Sequence, residues 1–346
     1  MVSARFVVSA AVALLAALPP VDATARGLAW ATNNNFAPVI GSKPMVNWYH
    51  HWEDGPVPQM PAKNEYVPMF WGTSKWDKWS SRKAEMAKNT PKHLLGFNEP
   101  DISSQANMSP ADAAGVWMSE IHPYAAKGVQ LGSPAVAWNL DWTAQFLAEL
   151  KKRGGHVDFI TVHWYGSYQD LAKFKAFVTS AHTRFGYHIW VTELGVTSGS
   201  NPTTQQTKNF MMNAFSWMDS TGFVDRASWF GCFESSSPPD AYATAKNALF
   251  KTAGALNDMG FWYGYTSQPD RRDVIKARHN AVAARARDSE TTDSGAEAVH
   301  CDDICKLRDA QMEAYEHDHP SPSADPAPVV ANGETHEAEA EAASSD

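Results

Sequence analysis

Eight short apolar runs, separated by amphipathic stretches, limit the fold of this chain more than any other feature. They are rich in β-branched and aromatic residues, and most carry no charge before their last positions. Such runs are typical of strands that are buried on both faces of a parallel sheet. The runs are RGLAWA (26–31), PMVNWYH (44–50), EYVPMFW (65–71), HLLGFNEP (93–100), VQLGSPAV (129–136), VDFITVHWY (157–165), HIWVTEL (188–194) and RASWFGCF (226–233).

Helix signals fall between these runs. Ser109-Pro110 followed by Asp112 predicts a helix that continues to about Ala126 and is ended by Gly128. Three further helices are predicted at 140–153, at 168–184 and from Thr203 or Thr204 to near Gly222. The helices after the first two strands are expected to be short or missing.

Strand and helix alternate over about 240 residues, which predicts an α/β fold of the (β/α)8 barrel type, irregular at its early helices. The competing architecture is an open, doubly wound parallel sheet. That fold normally carries a glycine-rich phosphate loop after its first strand, and the stretch RGLAWATNNN has none.

The barrel is expected to occupy residues 26–264. Residues 1–25 are predicted to be a secretory signal peptide, because Arg5 precedes an apolar run of 13 residues, from Phe6 to Leu18, that is too short to span a membrane. The alternative is an uncleaved membrane anchor. We therefore expect a secreted, extracellular protein, placed in the cell wall or outside it, with no transmembrane segment.

The remaining sequence is unlike the barrel in charge. A basic helical extension is predicted at 265–287 and an acidic, disordered tail at 288–346. The tail holds 16 acidic and 2 basic side chains of a chain whose net charge is −9, so residues 1–287 carry a net charge of +5. The overall acidity gives no support to a nucleic-acid partner. Of the three cysteines, Cys301 and Cys305 could form at most one local bridge, and Cys232 is expected in the core.

Two carboxylates end apolar runs, where a charge is unexpected: Glu99 in GFNEPD and Glu193 in WVTELG. Because a (β/α)8 barrel has its active site at the carboxyl ends of its strands, we expect the two side chains to face each other. Such a pair can cleave a glycosidic bond, since one group protonates the leaving oxygen and the other attacks the anomeric carbon or activates water. Alternatively, each acid caps a helix or pairs with a nearby Lys or Arg. Catalysis is the favoured interpretation, because two acids end runs four and seven and Asn98 directly precedes one of them.

Seven ordered motifs carry a more specific resemblance: VNWYHHW, YVPMFWG, LLGFNEPD, GSPAVAW, VDFITVHWYG, IWVTELG and SWFGCF. Over about residues 26–264 the chain resembles glycoside hydrolase family 128, the fungal alkali-sensitive linkage protein family. The resemblance implies an endo-β-1,3-glucanase that retains configuration and acts on β-glucan of the fungal cell wall type. It implies that Glu99 is the general acid/base and Glu193 the nucleophile. It further implies that Asn98 hydrogen-bonds the sugar 2-hydroxyl and that His163 and Tyr165 line the −1 region.

Aromatic side chains near the run ends are predicted to stack on sugar rings, because indoles pack well on the apolar C–H faces of sugars. They are Trp48, Trp71, Trp138, Trp164 and Trp229. The alternative for each of them is a place in the hydrophobic core.

The expected partner is a β-glucan polysaccharide or oligosaccharide, bound by a monomer that needs no cofactor and no metal. For a retaining mechanism, the carboxyl groups of Glu99 and Glu193 should lie about 5–5.5 Å apart rather than about 6.5–9.5 Å. Two other functions stay open at this point. One is a non-catalytic β-glucan-binding protein of the cell wall, and the other is a structural wall protein that works through its acidic tail.

Overall fold

The computed structural model describes residues 23–265. The predicted basic extension, the acidic tail, the pair Cys301 and Cys305, and all but the last three residues of the predicted signal peptide lie outside the described residues. Within the described part of the chain, no helix is both long enough and apolar enough to cross a membrane.

All eight apolar runs contribute a strand, as the sequence predicts. The strands are β1 Ala25–Trp30, β2 Val46–His50, β3 Glu65–Tyr66, β4 His93–Leu95, β5 Gln130–Gly132, β6 Ile160–Gly166, β7 Ile189–Val196 and β8 Val224–Cys232. Six of them form a parallel sheet in the order β3-β2-β1-β8-β7-β6, and β4 pairs with β5 in a second parallel sheet.

Two seams join these sheets into a closed barrel. At the first seam, Met69 bridges Leu95, next to β3 and β4. At the second seam, Gly132 bridges Phe159 and Val136 bridges Val162, next to β5 and β6. Because β1 also pairs with β8, the ring of strands closes, and the prediction of a (β/α)8 barrel is confirmed.

The helices are α1 Ala37–Gly41, α2 Trp76–Lys88, α3 Pro110–Glu120, α4 Leu140–Lys152, α5 Leu171–Phe185, α6 Thr204–Thr221 and α7 Asp258–Tyr265. The early part of the barrel is irregular, as expected: α1 has five residues, and the described stretch between β2 and β3 contains turns but no helix. Ser109 caps α3 by accepting a hydrogen bond from the backbone N–H of Asp112, and Thr203 opens α6 with a capping box.

Helix α3 is shorter than predicted. It ends at Glu120, and a 3₁₀ segment, His122–Lys127, continues the chain to Gly128, which has a φ of 79°. The cause is Pro123, which has no N–H to donate and clashes with the preceding turn of an α-helix.

Side chains from the strands and their immediate neighbours fill the inside of the barrel: Trp48, Val67, Met69, Leu95, Phe159 and Trp190. A larger apolar cluster packs the helices against the outside of the strands. The barrel is therefore a packed core that presents one open end, at the carboxyl ends of the strands.

Candidate active site

Glu99 and Glu193 meet at the carboxyl ends of β4 and β7. Both are buried, with 8% and 5% of their surface exposed, and both line a cavity of about 620 Å³. One carboxylate oxygen from each, together with a ring nitrogen of His163, lie within 4.8 Å of one another. Asn98 lines the same cavity. The structure thus brings the two predicted acids into one site.

The backbone at Glu99 is in a sparsely populated conformation. Its φ is 42°, in the left-handed region that non-glycine residues rarely adopt, and its N–H donates to the carbonyl oxygen of Ala135 at 2.8 Å. Trp52, with a φ of 47°, is a second residue of this kind in the site. Strained backbone of this sort costs about 1–3 kcal/mol and persists where the surrounding structure holds it.

A shift in strand register places Glu193. Strands β6 and β7 pair Val162 with Val191 and then His163 with Glu193, so Thr192 is an extra residue on β7. Bulges of this kind redirect side chains at barrel rims. Here the bulge sets Glu193 opposite His163.

His163 lies between the two acids and is fully buried. Its Nδ1 is 2.8 Å from Glu99 Oε1, while its Nε2 is 3.4 Å from Glu193 Oε1 and makes no hydrogen bond. Burial opposes protonation of the ring, but the nearby Glu193 and Glu99 carboxylates outweigh it and raise the pKa of His163. The Nδ1 of His163 can therefore carry a proton and donate it in a hydrogen bond to Glu99 Oε1.

Each carboxylate oxygen of Glu193 accepts one hydrogen bond. Trp52 Nε1 donates to Oε1 at 2.8 Å, and the Tyr165 hydroxyl donates to Oε2 at 2.5 Å. Burial and the Glu193 carboxylate raise the pKa of Tyr165 well above its ordinary value, so its hydroxyl stays protonated and remains a donor. With one donor on each oxygen, the orientation of the Glu193 carboxylate is fixed.

Trp52 was not among the site residues predicted from sequence. It follows the second apolar run by two positions and ends the motif VNWYHHW, and these two features were its signals in the sequence. His50, which ends that run, supports the site from below: its Nε2–H donates to the carbonyl oxygen of Thr192 at 2.9 Å. Burial lowers the pKa of His50 to about 4, so its ring is neutral at neutral pH.

The five tryptophans predicted to stack on sugar divide into two groups. Trp71 and Trp138 line the cavity, and Trp138 is 62% exposed, so it presents a free indole face. The stacking prediction is wrong for Trp48, Trp164 and Trp229, which are buried in the core.

Each of these three has a packing role instead. Trp48 lies inside the barrel and donates its indole N–H to the carbonyl oxygen of Ala25 at 2.9 Å. Trp164 stacks on Phe210 of α6 at 5.4 Å, and the indole N–H of Trp229 donates to the carbonyl oxygen of Asn247 at 2.9 Å. No face of these rings is open to the cavity.

The loop after β8 supplies cavity residues that were not predicted from the sequence. Asp240 Oδ1 accepts the backbone N–H groups of Tyr242 and Ala243, both at 2.9 Å, which fixes the carboxylate in a turn. Tyr242 is 56% exposed, and its ring packs edge-on against Tyr165 at 5.6 Å. Asp240 and Tyr242 line the cavity with Trp71 and Trp138. An aromatic face and a carboxylate acceptor on one rigid turn are suited to a sugar ring with its hydroxyls.

Glu99, His163 and Glu193 are also the one group of three or more His, Cys, Asp or Glu side chains, among residues 23–265, whose ligand atoms converge closely enough to hold a metal ion. The same arrangement can also transfer a proton and supply a nucleophile, because the two carboxylates have different hydrogen-bond partners. Glu99 contacts an imidazole, whereas Glu193 is held by two neutral donors.

Comparisons with known proteins agree on one group of relatives. The family model for the glycosyl hydrolase catalytic core matches residues 27–263. Alkali-sensitive linkage protein 1 of Schizosaccharomyces pombe is 29% identical over 248 residues, which cover 69% of this chain and 44% of that protein. This chain therefore spans less than half the length of that relative.

Two solved structures are each similar to about two thirds of this chain. One is a curdlan-specific exo-β-1,3-glucanase of family 128, subgroup III, from Blastomyces gilchristii, in complex with glucose. It is 33% identical with a TM-score of 0.58, covering 69% of this chain and 97% of that one. The other is an endo-β-1,3-glucanase of subgroup I from Amycolatopsis mediterranei, in complex with laminaripentaose. It is 29% identical with a TM-score of 0.58, covering 69% of this chain and 98% of that one.

Proposed function

This chain belongs to the glycosyl hydrolase catalytic core family, as its resemblance to glycoside hydrolase family 128 predicted, and on that premise we propose that it is a secreted, retaining endo-β-1,3-glucanase. One observation carries the proposal: Glu99 and Glu193 converge at the mouth of the barrel with an oxygen of each within 4.8 Å. Their different hydrogen-bond partners divide the acid and nucleophile roles between them.

The spacing of the two carboxylates supports retention of configuration. An inverting enzyme keeps its carboxyl groups about 6.5–9.5 Å apart, because a water molecule must fit between one of them and the sugar. One oxygen of Glu99 and one of Glu193 lie within 4.8 Å of each other, a close approach that favours the shorter, retaining separation. A direct attack by one carboxylate on the anomeric carbon fits this spacing.

In the first step, Glu193 attacks the anomeric carbon while Glu99 gives a proton to the leaving glycosidic oxygen. Trp52 and Tyr165 each donate a hydrogen bond to one oxygen of Glu193 and orient the carboxylate for this attack. In the second step, Glu99 takes a proton from water, which attacks the anomeric carbon and releases Glu193. His163, at 2.8 Å from Glu99, orients that carboxyl group and shares its proton.

The choice of β-1,3-glucan rests on the relatives, whose structures contain glucose or laminaripentaose. The cavity supports a sugar ligand independently. Trp71, Trp138 and Tyr242 offer aromatic surface, and Asp240 and Asn98 offer polar groups for hydroxyls. Its volume of about 620 Å³ lies in the usual range for ligand sites, about 300–1,000 Å³.

Internal cleavage is favoured by where the exposed aromatic rings lie. Trp138 follows β5 and Tyr242 follows β8, whereas Glu99 follows β4 and Glu193 lies on β7. The order of strands around the barrel therefore puts one exposed aromatic ring on each side of the two carboxylates. An enzyme that binds glucosyl units on both sides of the scissile bond can cut within a chain. Secretion rests on the signal-like residues 1–25, and the size and N-terminus of the protein in culture medium would test it.

The test of the activity uses the purified protein with laminarihexaose and with curdlan. We expect early products of several lengths, and proton NMR should show a β-anomer forming first. Glu193→Gln should abolish turnover, whereas Glu149→Gln, the same chemical change on the surface of α4, should leave it unchanged. If the protein binds laminarihexaose but forms no product, it is a glucan-binding protein and the proposed activity is wrong. If glucose is the only product, the enzyme cuts from the chain end and the proposed endo action is wrong.

A further inference from the structure

A pair of histidines lies near the amino ends of the barrel strands, away from the cavity. His122 is the first residue of the 3₁₀ segment after α3, and His156 lies in the loop between α4 and β6. His122 Nε2 and His156 Nδ1 are 3.2 Å apart, and the rings meet at 80° with their centroids 5.0 Å apart. Two neutral imidazoles can approach this closely because one nitrogen donates its hydrogen to the other.

From this arrangement we propose that His122 and His156 bind a divalent transition-metal ion of the zinc class. Zinc binds imidazole nitrogen at about 2.0–2.1 Å with tetrahedral geometry, so two nitrogens on one ion lie about 3.3 Å apart. The observed separation of 3.2 Å matches that edge. An ion would take the place of the shared hydrogen after a small rotation of the two rings.

The surroundings of His156 fit the same role. Its other ring nitrogen, Nε2, lies 3.9 Å from Asp158 Oδ1, which is within ion-pair range but longer than a hydrogen bond, so a small movement of the ring would be needed to form one. A histidine that ligates a metal through one nitrogen usually donates the other N–H to a carboxylate, which fixes the tautomer and strengthens the ligand. Asp158 is itself held in place, because its Oδ2 accepts the backbone N–H of Leu131 at 2.7 Å.

The site has room for the rest of a coordination shell. His156 and Asp158 have side chains that are 49% and 36% exposed, so water can supply the two remaining ligands of a tetrahedral ion. Since the pair joins segments 34 residues apart, a bound ion would tie the end of α3 to the loop after α4. The ion would act on stability and leave the glucanase chemistry unchanged.

The experiment measures Zn²⁺ binding to the full chain by calorimetry and by thermal unfolding, with Mg²⁺ as the control ion. We expect one strong site and a Tm that rises by about 3–6 °C in millimolar Zn²⁺ and not in Mg²⁺. His122→Gln and His156→Gln should each remove most of that rise. Asp158→Asn should weaken binding about tenfold, and His51→Gln, a histidine in the loop after β2, should change nothing.

A second readout separates this site from the cluster of Glu99, His163 and Glu193, which could also hold an ion. Zinc at that cluster would inhibit glucan hydrolysis, whereas zinc at His122 and His156 would not. A thermal shift that survives both histidine replacements, or no shift in the unaltered protein, overturns the proposal. Neither result bears on the proposed glucanase activity, which is measured without metal.

Discussion

Replacing Trp52 with Phe tests the nucleophile assignment at its most specific contact. The substitution keeps an aromatic ring beside His50 and Phe230, which lie 5.1 and 5.9 Å from the indole. It removes the Nε1–H that donates to Glu193 Oε1 at 2.8 Å. The carboxylate would then keep one direct donor, Tyr165, and gain freedom to rotate away from the anomeric carbon.

The expected loss follows from the type of hydrogen bond. A bond to a charged group is worth about 1.5–3 kcal/mol, and each 1.36 kcal/mol changes a rate about tenfold. We therefore expect kcat/KM for laminarihexaose to fall by about 10- to 160-fold. The melting temperature should change little, because the backbone of residue 52 keeps its φ of 47°.

Steady-state hydrolysis of laminarihexaose measures kcat/KM for the Trp52→Phe variant, and Trp76→Phe is the matched control. Trp76 is 41% exposed at the start of α2 and does not line the cavity. Tyr165→Phe removes the other donor to Glu193 and should act on the same quantity, so the double variant should lose less than the product of the two single losses. A folded Trp52→Phe protein with kcat/KM within threefold of the unaltered enzyme would refute this reasoning.

Three other predictions concern the acids, the pH dependence and the fold. With Glu193→Gly, azide should restore cleavage of an aryl glucoside and give a product of inverted configuration. With Glu99→Ala, azide should give a product of retained configuration, and a swap of these signatures would exchange the two roles. Because burial lowers the pKa of His50 to about 4, the unfolded chain takes up its proton first as the pH falls below about 6.5. The stability that depends on neutral His50 is present above that pH and declines toward pH 4, by about 3 kcal/mol in urea unfolding. His50→Gln should flatten that decline, and an unchanged slope would contradict the assignment. Arg26 is buried and donates to the carbonyl oxygens of Trp262 and Tyr263 in the last helix. Arg26→Met should therefore lower the free energy of unfolding by about 2 kcal/mol, and a protein of equal or greater stability in the same titration would show that the buried charge gives no net support.

The strands and most helix ends could be predicted because each leaves a local signal. Apolar runs marked all eight strands, and Gly186 and Gly222, with φ of 74° each, end helices α5 and α6 where the sequence placed the stops. The positions of Glu99 and Glu193 followed from the same logic, because an acid at the end of a buried strand of a barrel lies at the open end.

The direction of a side chain at a strand end could not be predicted. Trp164 and Tyr165 are neighbours on β6, yet Trp164 packs under α6 and Tyr165 reaches Glu193. Adjacent residues point to opposite faces of a strand, so an error of one position exchanges cavity and core. The bulge at Thr192 changes that alternation again, and Trp52 depends on a left-handed backbone that no composition rule indicates.

The two seams of the barrel have a mechanical consequence. Glu99 is carried by the pair β4 and β5, whereas Glu193, Tyr165 and Trp52 belong to the six-stranded part. The distance between the two carboxylates therefore depends on how closely the two sheets pack against each other at the seams. At one seam the fastening is close, because a methyl group on Gly132 would come within 2.5 Å of the Phe159 ring. Side chains packed at the seams therefore help to set the distance between the Glu99 and Glu193 carboxylates, although they lie outside the cavity.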